Sequence, residues 1–404
     1  MTDRKAAGKT ILDRRLLLLL LLQFSGGIII SPVAALLPVY LSDIGYSAVI
    51  IAGVFTLQRL VGLASSLAGG TLSDLLSRKQ TMVLGLAGLL AASVTFLTRA
   101  PAIILLLWAL YGMGLTLNSL GSQSYLMDSA GSRSLGLLTA LYYWGYTLGG
   151  GIGSPVAALL LTRLSFGGFG VVFCSLGVGA LVLAAAALPP SQREPSARAA
   201  KGAGGATGKL FGFGEIASRP AVLLLALLRF VPTFCYGILT VYMPLLLKRD
   251  GAAIPAIAIY ATVSGLTAAL AQLAAGRLAD LAGPRFPSLF SYAMLALSAL
   301  GIGLFHGRLE AVFIFGVLGM AAAWSLSVMV PPMVALVTKE AERGRVLGFI
   351  QLFWNLAMIL GSLAGGFLFE AWPGLPFVVG GGVVAIAPFL LVAFFRVVRA
   401  RRTS

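Results

Sequence analysis

The stretch Gly70-Thr71-Leu72-Ser73-Asp74 returns 206 residues later as Gly276-Arg277-Leu278-Ala279-Asp280. The same offset aligns Pro38 with Pro244, Gly45 with Gly251, and Gln23-Phe24 with Arg229-Phe230. Farther along, the offset becomes 212: Leu135-Gly136 aligns with Leu347-Gly348, Gly149 with Gly361, and Gly153 with Gly365. A register held across two apolar segments and the loop between them marks a duplicated unit.

The repeated unit is built from apolar runs. Of 404 residues, 59% are hydrophobic and 10% charged, against roughly 25% charged in a soluble domain. So little charge cannot cover a soluble surface. Fifty glycines suit the close approach of helices in lipid. A hydrocarbon core about 30 Å thick needs roughly 20 apolar residues per helix. Twelve such spans are found, at 16–41, 47–71, 80–98, 101–127, 135–162, 169–188, 221–247, 254–276, 288–306, 310–337, 346–371 and 375–397. The predicted fold is an all-α membrane protein of twelve transmembrane helices in two pseudo-symmetric six-helix bundles. Residues 1–188 form the N-terminal half, 189–220 a flexible linker, and 221–404 the C-terminal half. The linker is rich in Gly, Ala, Ser and Arg and cannot bury a core. Its end, near Leu210, Phe211, Phe213 and Ile216, has the apolar content to lie on a membrane surface. Six spans return the chain to its starting side, so the halves are parallel repeats about an axis along the membrane normal.

Charge sets the orientation. Of the 29 Lys and Arg, only Arg59 and Arg229 lie deep inside spans, Arg396 standing at the very end of the last one and counted with the C-tail. Arg99, Arg163, Lys248, Arg249 and Arg308 fall on one side, and the remaining 22 on the side of the N-tail. Both termini and the linker are predicted to be cytoplasmic, in a plasma membrane. The net charge of +16 is then a topology signal, and no nucleic-acid partner is expected. Basic residues before Leu16–Leu22 resemble a secretory leader. However, the apolar stretch runs on to Tyr40 without a small-residue cleavage pattern, so a retained first helix is expected. Cys174 and Cys235 fall inside apolar runs and read as packing residues, with no metal or disulfide framework.

The repeated stretch, continued to Arg78-Lys79, resembles the loop signature of the major facilitator superfamily (MFS), Gly-x-Leu-x-Asp-basic-x-Gly-basic-basic. The second copy runs from Gly276 to Arg285 in the equivalent loop. The first copy departs at Leu75 and Ser77. The resemblance covers the whole chain and implies the MFS fold, with alternating access by rocking of the halves. It also implies a gating role for Gly70, Asp74, Arg78, Gly276 and Asp280. Asp74 would face the start of span 11 near Arg345, and Asp280 the start of span 5 near Arg133. The alternative is a static loop cap with ordinary surface charges.

Polar residues are unevenly shared among the spans. The interiors of spans 3, 6, 9 and 12 lack Asn, Gln, Asp, Glu, Lys and Arg. Spans 1, 2, 4, 7, 8 and 11 carry Gln23, Gln58, Arg59, Asn118, Gln123, Arg229, Gln272, Gln351 and Asn355. Polar groups in lipid are costly and turn toward a cavity or a helix contact. Arg59 lies about 16 Å from either end of its span, too deep to snorkel. It either holds an anionic group of the solute or hydrogen-bonds helix carbonyls, Gln and Tyr side chains. Arg229, about 12 Å deep, presents the same choice. The predicted substrate set is Arg59, Arg229, Gln23, Gln58, Asn118, Tyr143, Tyr236, Trp354 and Asn355. Tyr142, Tyr143, Trp144 and Tyr146 are consecutive or nearly so, and one helix cannot aim all four at one cavity.

No Asp or Glu sits in the middle of a span, and His306, the only histidine, falls at a span end. No enzyme centre, metal site or cofactor is expected, and no channel filter is visible. Many antiporters of the family carry an arginine where Trp108 aligns. Gly145, Gly149, Gly153 and Pro155 resemble the antiporters' glycine-proline pattern with the proline displaced by one. The expectation is a monomeric secondary carrier of a small organic solute, with efflux of an amphipathic compound ahead of organic-anion exchange or uniport through Arg59 and Arg229.

Overall fold

A computed structural model describes residues 14–75, 77–130, 135–190, 218–338 and 343–403. The first six helices are α1 (Arg14–Asp43), α2 (Ala48–Leu75), α3 (Arg78–Val94), α4 (Pro101–Ala130), α5 (Leu135–Leu161) and α6 (Phe166–Ala187). The next three are α7 (Pro220–Arg249), α8 (Ile254–Ala282) and α9 (Arg285–Leu304). Then come α10 (Leu309–Val328, continued by Val330–Val337), α11 (Arg343–Ala371) and α12 (Leu375–Val384, continued by Ala387–Thr403). Among the described residues, eleven helices are long and apolar enough to cross a membrane. The twelfth, α5, has 27 residues and no charged side chain. The all-α, twelve-helix expectation holds.

Two spans read as continuous are interrupted, α10 at Met329 and α12 at Ala385-Ile386. Proline is the reason in both cases. Pro331, Pro332 and Pro388 have no N–H for the preceding turn, so the helical ladder loses bonds there. The linker segment 191–217, with its predicted surface-lying end, lies outside the described residues.

The duplication is visible in the packing. α1 lies along α5, and α7 lies along α11. Both contacts are made by glycines. A Cβ on Gly153 would stand 2.7 Å from the carbonyl carbon of Ile28, and one on Gly361 would stand 3.0 Å from that of Phe234. Phe234 is the repeat equivalent of Ile28, so Gly361 does in the second copy what Gly153 does in the first. The sequence alignment had paired Gly361 with Gly149. The spatial correspondence is thus displaced by one turn, and Gly365 instead makes room for the Tyr242 ring, whose Cδ2 would stand 2.9 Å from a Cβ there.

The short connections also repeat. Gly45, between α1 and α2, has φ 95°, and Gly251, between α7 and α8, has φ 94°. A side chain would be strained at either position. The loop after α2 departs from this symmetry. Gly283 ends α8 at φ 78°, while its equivalent Ser77 is extended at φ −66° and caps α3. The Ser77 hydroxyl accepts from the Gln80 amide at 3.2 Å, and the Gln80 side chain accepts from the Ser77 amide at 2.9 Å. This capping box explains the serine that departs from the loop signature.

The two six-helix groups meet where α1 touches α7, α2 touches α11 and α5 touches α8. We call the end of the bundle where α1 begins the near end, and the opposite one the far end.

Candidate functional site

A cavity of about 400 Å³ lies between the two groups. It is walled by α1, α2 and α5 from the first group and by α7, α8 and α10 from the second. The four spans read as free of strongly polar residues, α3, α6, α9 and α12, contribute nothing to its lining. Neither does α4, although Asn118 and Gln123 reside there. Most of the wall is apolar or weakly polar: Ala34, Phe55, Leu239, Leu266 and Met320, with Ser31, Thr147 and Thr240 between them. Tyr146, Tyr236 and Trp324 add aromatic surface, and Tyr236 and Trp324 meet edge to face at 5.8 Å.

Among the described residues, Arg59 is the only charged one on this wall. It stands eleven residues into α2, and Phe55 precedes it by one turn on the same face. Its guanidinium lies 5.7 Å from the centroid of the Trp354 ring, which α11 supplies. Among the described residues, no hydrogen bond or ion pair reaches that guanidinium. The phenols of Tyr236 and Tyr111 are its titratable neighbours. Apolar walls with one uncompensated cation attract an anionic group and exclude a second cation, because charge interactions strengthen where water is scarce.

The other predicted residues are dispersed. Tyr236 lines the cavity. Arg229 lies on α7 in a separate small pocket with Tyr292, Met329 and Met333. Gln23 is buried, its Cβ 3.7 Å from a Cβ built on Gly145 of α5. Gln58 is buried against α4, where a Cβ on Gly112 would come 3.2 Å from the Gln58 Cα. Asn118 sits in the α3–α4 contact, its Cα 2.6 Å from a Cβ placed on Gly85. Asn355 donates to the Gln351 carbonyl at 3.1 Å. Tyr143 is exposed and off the cavity wall. Of the four clustered aromatics on α5, only Tyr146 lines the cavity, and Tyr142 is buried with its hydroxyl 2.6 Å from Ser122 Oγ. Trp108 is buried edge-on to Phe55 at 5.5 Å, which helps keep α4 behind the wall.

Sequence reasoning missed Phe55, Thr240, Ser264 and Leu266 on the lining. A signal existed for two of them. Phe55 is four residues before Arg59, and Thr240 four after Tyr236, so each shares a helix face with a residue that was singled out. Ser264 and Leu266 are ordinary in an apolar run and carry no such mark.

The far end is closed by contacts between the two groups. Lys248, at the end of α7, forms an ion pair with Asp43 at the end of α1. Its ammonium also donates to the Val39 carbonyl and to Ser42 Oγ, each at 3.3 Å. Glu370 of α11 accepts from the Val49 amide at the start of α2, at 3.1 Å. Deeper in, Thr56 Oγ1 and Ser362 Oγ lie 3.5 Å apart, and a Cβ on Gly366 would stand 2.9 Å from Ala52 Cβ.

Among the loop-signature residues, Gly276 packs at an ordinary distance, its would-be Cβ 3.5 Å from Val328. Gly70 and Asp74 lie in the last turns of α2, and Arg78 opens α3. Arg133 lies outside the described residues, as do the side chains of Asp74, Asp280 and Arg345.

Twelve apolar helices enclosing a solute-sized cavity with one uncompensated cation define a polytopic α-helical membrane protein built around an internal site. The profile of the Major Facilitator Superfamily matches residues 16–330 and 234–404, and the chain belongs to that superfamily of membrane transporters. Relatives include the uncharacterized MFS-type transporter YhhS of Escherichia coli O157:H7 and of Shigella flexneri. Each is 26% identical over 399 residues, covering 94% of this chain and 92% of the relative. Among solved structures, a bacterial homolog of the human lysosomal transporter Spinster, inward-facing and unoccupied, superposes with a TM-score of 0.73. It is 16% identical and covers 98% of this chain and 94% of its own. The nucleoside transporter NupG (D323A mutant) gives 0.75 at 16% identity, covering 94% and 99%. The human organic anion transporter MFSD10 gives 0.63 at 21% identity, also covering 94% and 99%. These likenesses bear on the fold.

Proposed function

We propose that this transporter carries an amphipathic organic anion by alternating access, with Arg59 receiving the anionic group and the Phe55–Tyr236–Trp324 wall receiving the apolar body. The supporting observation is the bare guanidinium of Arg59 on an otherwise uncharged cavity. Burying a cation without a partner is costly, and a cavity that retains one gains most by receiving an anion. In this reading Arg229, outside the cavity, makes no direct contact with the solute.

The division at 1–188, 189–220 and 221–404 defines the two rocking halves, with the monomer as the working unit. Basic-residue placement makes the near end and both termini cytoplasmic in a plasma membrane. The closed far end then corresponds to an inward-facing conformation, loaded from the cytoplasm, and export is the proposed direction. Asp74, Arg78 and Arg345, with Asp280 and Arg133, serve as the cytoplasmic gate together with Gly70 and Gly276.

The test is saturable transport of an aromatic carboxylate such as 1-naphthoate by purified protein in liposomes. Arg59→Gln is expected to reduce transport more than tenfold while the melting temperature stays within about 2 °C. Equal transport by Arg59→Gln overturns the reading.

A further inference from the structure

We infer that Trp354 is the positioning residue for Arg59, holding the guanidinium against its ring so that the nitrogen edge stays free for an anion. This rests on the proposed anion reading and adds a residue that does not itself line the cavity. Arg59 is on the cavity wall, and Trp354, half-buried on α11, is not among the residues that line it. The 5.7 Å separation is within the range of a cation–π contact.

Such a support differs from an ion pair in its consequence. A carboxylate beside Arg59 would occupy the guanidinium fork and cancel its charge. An aromatic face engages the π surface of the guanidinium and leaves its in-plane N–H groups unspent. Those N–H groups match a carboxylate, sulfonate or phosphate bound in the same plane. A long flexible side chain would otherwise have to be ordered when the anion arrives, and one already resting on a ring has lost that freedom beforehand.

The ring and the cation come from opposite six-helix groups, α11 and α2, which also close together at the far end through Glu370 and Val49. The support for Arg59 therefore belongs to the arrangement in which the far end is shut. Movement of α11 away from α2 removes the ring and weakens the grip on the anion, which favours release after the halves have rocked.

The experiment compares wild type, Trp354→Leu, Trp354→Phe and Arg59→Gln in liposomes. It uses 1-naphthoate as the anion, and the thermal shift caused by neutral 1-naphthamide as a control on the apolar wall. Trp354→Leu is expected to raise KM for 1-naphthoate about tenfold, while Trp354→Phe stays within about threefold of wild type. The 1-naphthamide shift should stay unchanged in both. A purely structural role would move the acid and the amide together, and that result overturns the inference. So does a wild-type KM in Trp354→Leu when Arg59→Gln has lost transport, an outcome that leaves the anion reading intact. If Arg59→Gln itself transports 1-naphthoate normally, the anion reading falls and this inference with it. Should Trp354→Leu fail to fold, Trp354→Met takes its place, with similar bulk and no π face. Equal KM values for the Met and Phe variants then overturn the inference.

Discussion

Lys248 and Ser42 occupy equivalent places in the two repeats, 206 residues apart, and their side chains meet at 3.3 Å. The duplicated backbones end α1 and α7 alike, each followed by a positive-φ glycine. The side chains have diverged on this shared frame. Asp43 corresponds to Arg249, and Ser42 to Lys248, so the end of α1 offers the acid and the end of α7 the base. Complementarity across the pseudo-axis arises because the two copies differ at positions that touch.

That pairing should bias the conformational equilibrium. Both side chains are partly exposed, and such pairs contribute roughly 0.2–1 kcal/mol. Lys248→Gln or Asp43→Asn is expected to shift the population away from the closed far end by up to about fivefold. The exchanged pair Asp43→Lys with Lys248→Asp should restore much of it. Spin-label distances between the far ends of α2 and α11 report the shift; an unchanged distribution in both single variants would show that apolar packing alone closes this end.

The two arginines should separate cleanly. Arg59→Gln is expected to abolish 1-naphthoate transport, whereas Arg229→Gln, outside the cavity, should change KM by less than about threefold. Equal losses would indicate that Arg229 reaches the solute in another conformation.

Helix glycines should sort by what faces them. A Cβ on Gly149 would lie 2.9 Å from the Phe24 carbonyl carbon and 3.0 Å from the Ile28 nitrogen, both backbone atoms that cannot step aside. Gly149→Ala is expected to destabilise the protein by at least 1–3 kcal/mol, roughly the cost of overpacking. Gly26, on α1, has nothing within 4 Å of its would-be Cβ. Gly26→Ala should be neutral or stabilising by up to about 1 kcal/mol, because alanine favours the helix. Melting temperatures in detergent decide both; similar values for the two variants would refute the close packing of α1 on α5.

Gly45 and Gly251 isolate a different effect. Both have open space around them, so a side chain would clash with nothing beyond its own backbone. At φ 95° and 94° each Ala variant should lose roughly 1–3 kcal/mol from local strain. The losses should be similar in the two loops and additive in the double variant, since the turns are independent. Thermal or denaturant unfolding gives the comparison.

Much of the architecture was legible before any coordinates. Apolar length is a property of a contiguous segment, which is why twelve spans could be counted and the polar-poor spans 3, 6, 9 and 12 set apart from the cavity. Prolines 331, 332 and 388 also stood in plain view, yet the spans around them were read as unbroken, because hydropathy does not register a missing N–H. The loop after α2 was read from its glycine, leucine and charged signature positions, and the Ser77–Gln80 capping box that shapes it was overlooked.

The site was less legible. Gln58 and Arg59 are neighbours in sequence, but successive helical residues point about 100° apart. One faces α4 and the other the cavity. Trp354 was read as a substrate contact; it is off the cavity lining, with its ring 5.7 Å from the Arg59 guanidinium. Arg229, of the same residue type and similar depth as Arg59, turns into another pocket. Duplication, span number and the family signature were determined by the sequence itself, since each depends on composition and order along one strand of chain. Which polar residues share the cavity was decided only by the tertiary structure, because it depends on the rotation of each helix about its axis. That rotation is set by glycine contacts such as Gly153 on Ile28 and Gly361 on Phe234, between residues more than a hundred positions apart.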